Sequence, residues 1–242
     1  MKNFKKLFIN DLERFFEYRI FHVFVTIVFI FTFAMALFPE LNPSNFIYVS
    51  VFVLPVILFS ISMYIEKEEG TILPMLSTCC KSYEVLLSKV LAALSLQLIP
   101  VILYTLVFRF GTGYEINYLA FIGTYLLGAL MHIIVGLTLS ILSKSNNILS
   151  MSYLAYIVIF SITPILYENG LIPLSFQYVM IISPAYLSGI LLGNVMAGVM
   201  YSGLTMILIA LFLQIIYICV LVIWVILPFL KAYMLEPKKA KE

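Results

Sequence analysis

Glu66-Lys67-Glu68-Glu69-Gly70-Thr71-Ile72-Leu73-Pro74-Met75-Leu76-Ser77-Thr78-Cys79-Cys80-Lys81-Ser82-Tyr83-Glu84-Val85-Leu86-Leu87-Ser88-Lys89 is a polar island between two apolar runs. Seven of its 24 positions are charged, whereas residues 41–65 before it and 90–108 after it contain no Asp, Glu, Lys or Arg. A spanning helix needs about 20 mainly apolar residues, so both flanks are long enough to cross a bilayer and the island reads as the loop between them. Glu66, Glu68 and Glu69 end a helix leaving the membrane, Gly70 permits a sharp change of direction, and Pro74 stops the helix from continuing. Helical spacing resumes from Tyr83 to Lys89. So charged a loop is either a solvated connector or a contact for a partner in the aqueous phase.

Outward from this loop, residues 20–39, 116–143 and 145–167 are three more charge-free candidate spans. A further charge-free interval, 169–230, is too long for one helix. Gly170, Pro173, Pro184, Gly189, Gly193 and Asn194 break its first third, which leaves a sixth span from about Met196, within 196–230. With 63% hydrophobic and 11% charged residues, the chain has too little polar surface for a soluble fold. Thirteen of its fourteen Lys and Arg residues fall in alternate gaps between the spans, with only Arg109 opposite. The positive-inside rule then places both termini, the 66–89 loop and the 231–242 tail in the cytoplasm. The expected fold is therefore all-α and integral to the membrane, a single domain of six spans. The net charge of +2 is explained by orientation and gives no nucleic-acid surface. Adjacent Cys79 and Cys80 with Cys219 in the last span imply reduced thiols, and no cleavable signal pattern precedes the first span.

Ahead of that span, Phe4, Leu7, Phe8, Leu12, Phe15 and Phe16 recur at helical spacing within residues 1–19. Lys5, Lys6, Asn10, Asp11, Glu13, Arg14 and Glu17 take the remaining face, so the segment reads as an amphipathic helix lying in the membrane interface. An ordinary juxtamembrane helix that only assists insertion has the same pattern.

The loop resembles the signature of ABC-2-type exporter permeases. In that family an acidic-basic-acidic cluster runs into Gly-Thr, paired apolar residues, a turn, an acidic residue and a final Lys entering the next helix. Glu66, Lys67, Glu68, Glu69, Gly70, Thr71, Leu76, Glu84 and Lys89 match in order, and Cys79 stands where the family commonly has Pro. The resemblance extends over the chain to an interfacial elbow helix, six spans and a broken external segment, the ABC-2 (type V) exporter architecture. In that segment, 168–195, Pro173, Pro184 and Tyr186 correspond to a stretch that dips back into the outer leaflet. The resemblance implies a non-catalytic permease whose 66–89 loop docks as a coupling helix on a separate ABC ATPase. It also implies a second permease copy or a related permease, with ATP and Mg bound by the ATPase and no cofactor bound here. Similar permeases are assigned to fluoroquinolone export and to phenol-soluble-modulin export, in a bacterial cell membrane.

The remaining residues bear on rival classes. No G-x-x-x-x-G-K-[ST] loop occurs, and Gly111-Thr112-Gly113 lacks the following Gly-Lys. Every Asp and Glu is placed at or beyond a membrane boundary, which disfavours an ion-coupled secondary transporter, although sodium sites built from carbonyls and hydroxyls stay open. An intramembrane enzyme lacks both H-E-x-x-H and G-x-S-x-G. His132, deep in the fourth span, is expected as a neutral imidazole packed against a hydroxyl, and His22 as an interfacial residue. Gly123, Gly128 and Gly136, with Ser140, are expected to permit close helix approach. Trp224 reads as packing or an interface anchor. A pathway poor in charge suits a hydrophobic or amphipathic cargo, with amphipathic peptide toxins or antimicrobials ahead of drugs and lipid-like compounds.

Overall fold

The computed structural model describes residues 2–38, 43–72, 74, 81–111, 116–168, 170–196 and 203–235, and among them there is no strand. A leading helix, Lys2–Glu17, is followed by Arg19 in the left-handed region (φ 59°), which turns the chain into the first span, Ile20–Leu37. The second to fifth spans are Ser44–Glu68, Ser82–Phe110, Tyr118–Leu142 and Asn146–Tyr167. A bent pair, Leu174–Met180 and Pro184–Met196, folds through 111° before the sixth span, Leu204–Ala232. Met196 thus closes the bent pair instead of opening the sixth span, which begins at Leu204. The second span continues in helix to Glu68 and the third starts at Ser82, so Glu66 and Lys89 belong to helices and the connection is shorter than 66–89.

The second and fourth spans form the centre. About 67% and 72% of their apolar windows are buried, against 22% for the first and fifth and 11% for the sixth. Glycine decides how closely the central pair approach: a Cβ at Gly136 would lie 2.9 Å from the Val56 carbonyl oxygen and 3.2 Å from that of Pro55. A Cβ at Gly128 would lie 2.9 Å from Val51, whereas one at Gly123 meets nothing within 4 Å, so two of the three expected glycines serve this seam. Between them the Nδ1–H of His132 donates to the Gly128 carbonyl, 2.7 Å away, and the ring packs against those of Phe52 and Tyr156. Its Nδ1 partner is therefore a backbone carbonyl where a hydroxyl was expected.

Three spans share one departure from α geometry. Residues Val49–Val53, Ile157–Ile162 and Val222–Ile226 are π-helical, and each segment ends two residues before a proline: Pro55, Pro164 and Pro228. The residue just before each proline bonds five residues back, Leu54 to Val49, Thr163 to Val158 and Leu227 to Val222. The cause is steric and electronic together. Proline has no N–H for the carbonyl four residues earlier and its ring crowds that carbonyl, so one extra residue is accommodated in the turn. In a bilayer this keeps most backbone groups paired where water is absent. Pro100 lies inside the third span without a π segment.

Candidate functional site

At the end of the bundle where the second span meets the third, the helix C-terminus is shaped by Gly70. Its φ of 71° is left-handed, which costs glycine little, and it lets the Gly70 and Thr71 amides turn back onto the Lys67 and Glu66 carbonyls at 3.2 and 3.1 Å. This is the Schellman arrangement, and the Thr71 hydroxyl adds a second bond to Glu66 O at 3.2 Å. Ile72 is then drawn into the core with none of its surface exposed. The third span begins with the Glu84 carboxylate accepting the Lys81 amide at 3.0 Å, half of a capping box.

Two of the seven charged residues of the 66–89 stretch, Glu66 and Lys89, are buried. Glu66 accepts from Arg14 of the leading helix at 2.9 Å and from Lys89 of the third span. Lys89 also reaches Asp11 at 3.1 Å, Ser88 donates to the same carboxylate, and Arg14 lies 4.0 Å from it. Asp11, Glu66 and Lys89 are 3%, 4% and 6% exposed and Arg14 is partly buried, so two carboxylates and two cations form a largely buried quartet with no net charge. Such burial is tolerated only because each charge faces an opposite one and the oxygens accept further hydrogen bonds. Lys67 points the other way: its ammonium donates to the Ile141 and Ser143 carbonyls at 3.2 and 2.8 Å and lies 5.7 Å from the Phe229 ring. It therefore caps the C-terminus of the fourth span, where a cation complements the helix dipole, and touches the sixth. Glu68 accepts from Tyr64 at 2.7 Å, and Glu69 from Tyr18, which follows the leading helix. Burial first, and then that bond to Glu69, push the Tyr18 phenol above its ordinary pKa.

Glu66, Lys67, Glu69, Gly70, Thr71, Glu84 and Lys89 are thus gathered around the junction of the leading helix with the second, third and fourth spans. Glu68 and Glu69 stay exposed, as do Lys81 and Tyr83, whereas Leu76 and Cys79 lie outside the described residues. Asp11 departs from its expected place on the exposed face of the leading helix. It shares the buried stripe with Leu7 and Phe15, each spaced by four residues, and Phe15 packs edge-on against Phe59 at 5.4 Å. That spacing was the available signal for Asp11. Phe4, Phe8 and Leu12 are half-buried, and Phe16 is exposed and stacked on Phe21. Glu66 is enclosed by protein, where Arg14 and Lys89 take the place of water around its carboxylate.

At the opposite end, Pro173 precedes the turn Leu174–Phe176, and Pro184 and Tyr186 are buried at the start of the second helix of the bent pair. Tyr186 meets Tyr167 edge-on at 5.7 Å. Among the described residues no group of three His, Cys, Asp or Glu is placed to hold a metal ion.

The described residues thus combine a leading helix bonded to the end of the second span, six helices long and apolar enough to cross a membrane, and a bent pair before the last of them. A family model for the ABC-2 type transporter matches residues 2–194, more than three quarters of the chain. The chain belongs to the ABC-2 type transporter family. It is accordingly an ABC-type membrane permease subunit and a multi-pass membrane protein, from a family that normally works with an ABC ATPase partner. Comparison with curated proteins and with solved structures gives no match. In this ABC-2 permease the described ends of the second and third spans, residues 66–72 and 81–89, lie at the helix junction just described.

Proposed function

We propose that this chain exports a hydrophobic or amphipathic substrate, an amphipathic peptide before a drug or lipid-like compound, driven by ATP that a separate ABC ATPase hydrolyses. The observation that carries the reading is the buried junction at Glu66. A partner pressing on exposed Glu68, Glu69, Lys81 or Tyr83 acts on a point bonded to the leading helix, the third span and the fourth span at once. In this reading both termini and the 66–89 loop are cytoplasmic, as the Lys and Arg asymmetry requires. Two permease chains, identical or related, complete the transporter with two ATPases. Apolar residues exposed along the first, fifth and sixth spans, such as Phe33, Met151 and Phe212, suit a cargo taken from the membrane.

The test is recovery of an ABC ATPase with the tagged chain from its native membranes. Glu69→Lys reverses charge on the exposed face, and Gly70→Pro imposes a negative φ where the chain needs +71°, so both should lower ATPase recovery or uncouple hydrolysis from export. Tyr18→Phe removes only the internal partner of Glu69 and should leave recovery unchanged. Normal recovery and full export in correctly inserted Glu69→Lys and Gly70→Pro variants, or ATP hydrolysis by the isolated chain, would overturn the proposal.

A further inference from the structure

The bulge in the fifth span is occupied by hydroxyls from two other elements. In a continuous α-helix the Phe160 carbonyl would accept the amide of residue 164, but Pro164 has none. Ser183 donates to that oxygen instead at 2.6 Å, and Tyr48, just before the π segment of the second span, donates to the neighbouring Ser161 carbonyl at 2.6 Å. Ser183 has a second task. It sits in the turn of the bent pair, where its Oγ accepts the Tyr186 amide at 3.1 Å and so caps the helix Pro184–Met196. The other side of the same turn is held by the sixth span, whose Tyr217 donates to the Ile182 carbonyl at 3.1 Å.

One hydroxyl therefore sets the direction of the buried helix of the bent pair and ties it to a proline-made defect in the fifth span. We propose that Ser183 and Tyr48 are positioning residues for transport: they latch the bent pair and the second span onto the Pro164 bulge, and this end of the bundle opens when they leave it. Three properties suit a latch. Each bond is of ordinary hydroxyl-to-carbonyl strength and so is exchangeable. The Phe160 carbonyl lacks its α-helical amide donor because residue 164 is proline, which leaves the Ser183 hydroxyl to meet it. Away from water, a carbonyl released by Ser183 is costly to leave unpaired, so release is favoured when water enters, which links the latch to opening of the bundle at this end.

The reporter is a single cysteine at Leu187, a fully buried residue one turn into the capped helix, in a chain with Cys79, Cys80 and Cys219 changed to Ser. Purified permease in nanodiscs is treated with a charged, water-soluble maleimide and the modification rate is followed. Ser183→Ala should raise the rate about fivefold, the population change expected from one lost hydrogen bond of ordinary net strength. Tyr48→Phe should act in the same direction, and Ser183→Thr, which keeps the hydroxyl, should restore the slow rate. The deciding variant is Pro164→Ala, which supplies the missing amide. In that background Ser183→Ala should add little further acceleration. An unchanged rate in Ser183→Ala, or an equal acceleration with and without Pro164, would overturn the latch. A cysteine at Ile190 provides a second reporter should Leu187→Cys disturb packing. Since the assay uses the permease alone, it stands or falls independently of ATPase binding.

Discussion

Lys89→Met is the sharpest test of the buried quartet, because it removes one charge and keeps most of the side-chain volume. Lys89 faces two carboxylates, at Asp11 and Glu66, with only Arg14 as the other cation. The variant leaves two buried carboxylates sharing one guanidinium, and loss of one partner from a buried ion pair costs about 3–5 kcal/mol. At about 2–4 °C per kcal/mol for a chain of this size, the unfolding midpoint of the permease in nanodiscs should fall by roughly 6–20 °C. Glu66→Gln alone leaves the opposite imbalance and should also destabilise. The double variant Lys89→Met/Glu66→Gln restores neutrality with Asp11 and Arg14, so it should recover much of the loss, with a coupling of about 2 kcal/mol or more between the two sites. Circular dichroism during heating gives the midpoints of all four proteins. A single variant that loses less than about 1 kcal/mol, or losses that simply add in the double variant, would refute a charge-balanced buried quartet.

Two further outcomes follow from other parts of the molecule. Gly136→Ala forces a methyl to 2.9 Å from a backbone carbonyl of the second span and should cost about 1–3 kcal/mol by the same melting assay, whereas Gly123→Ala has open space and should be neutral or stabilising. In a chain otherwise free of cysteine, residues 42 and 169 replaced by Cys should react with an impermeant maleimide outside intact cells and residue 145 should not; labelling at 145 would defeat the proposed orientation.

The apolar runs were legible as spans because crossing hydrocarbon imposes a length and a lack of charge, and both are properties of contiguous residues. The same holds for Gly70, whose turn involves only its neighbours. The three prolines were equally visible, but the local sequence does not distinguish Pro100, which sits in an uninterrupted helix, from Pro55, Pro164 and Pro228, which follow π segments. The start of the sixth span was misplaced at Met196 because composition alone does not say which of two apolar helices a residue joins. Pairings lay furthest from reach. Asp11 meets Lys89 across 78 positions and Ser183 meets Phe160 from the turn of the bent pair, so neither contact is written in local periodicity. Thus the sequence alone determined the membrane, the six apolar spans and the polar stretch between the second and third of them, through hydrophobic length and charge. Only the tertiary structure decided that Glu66 and Lys89 point into the bundle, because a charge inside a low-dielectric core persists only where packing brings it a partner.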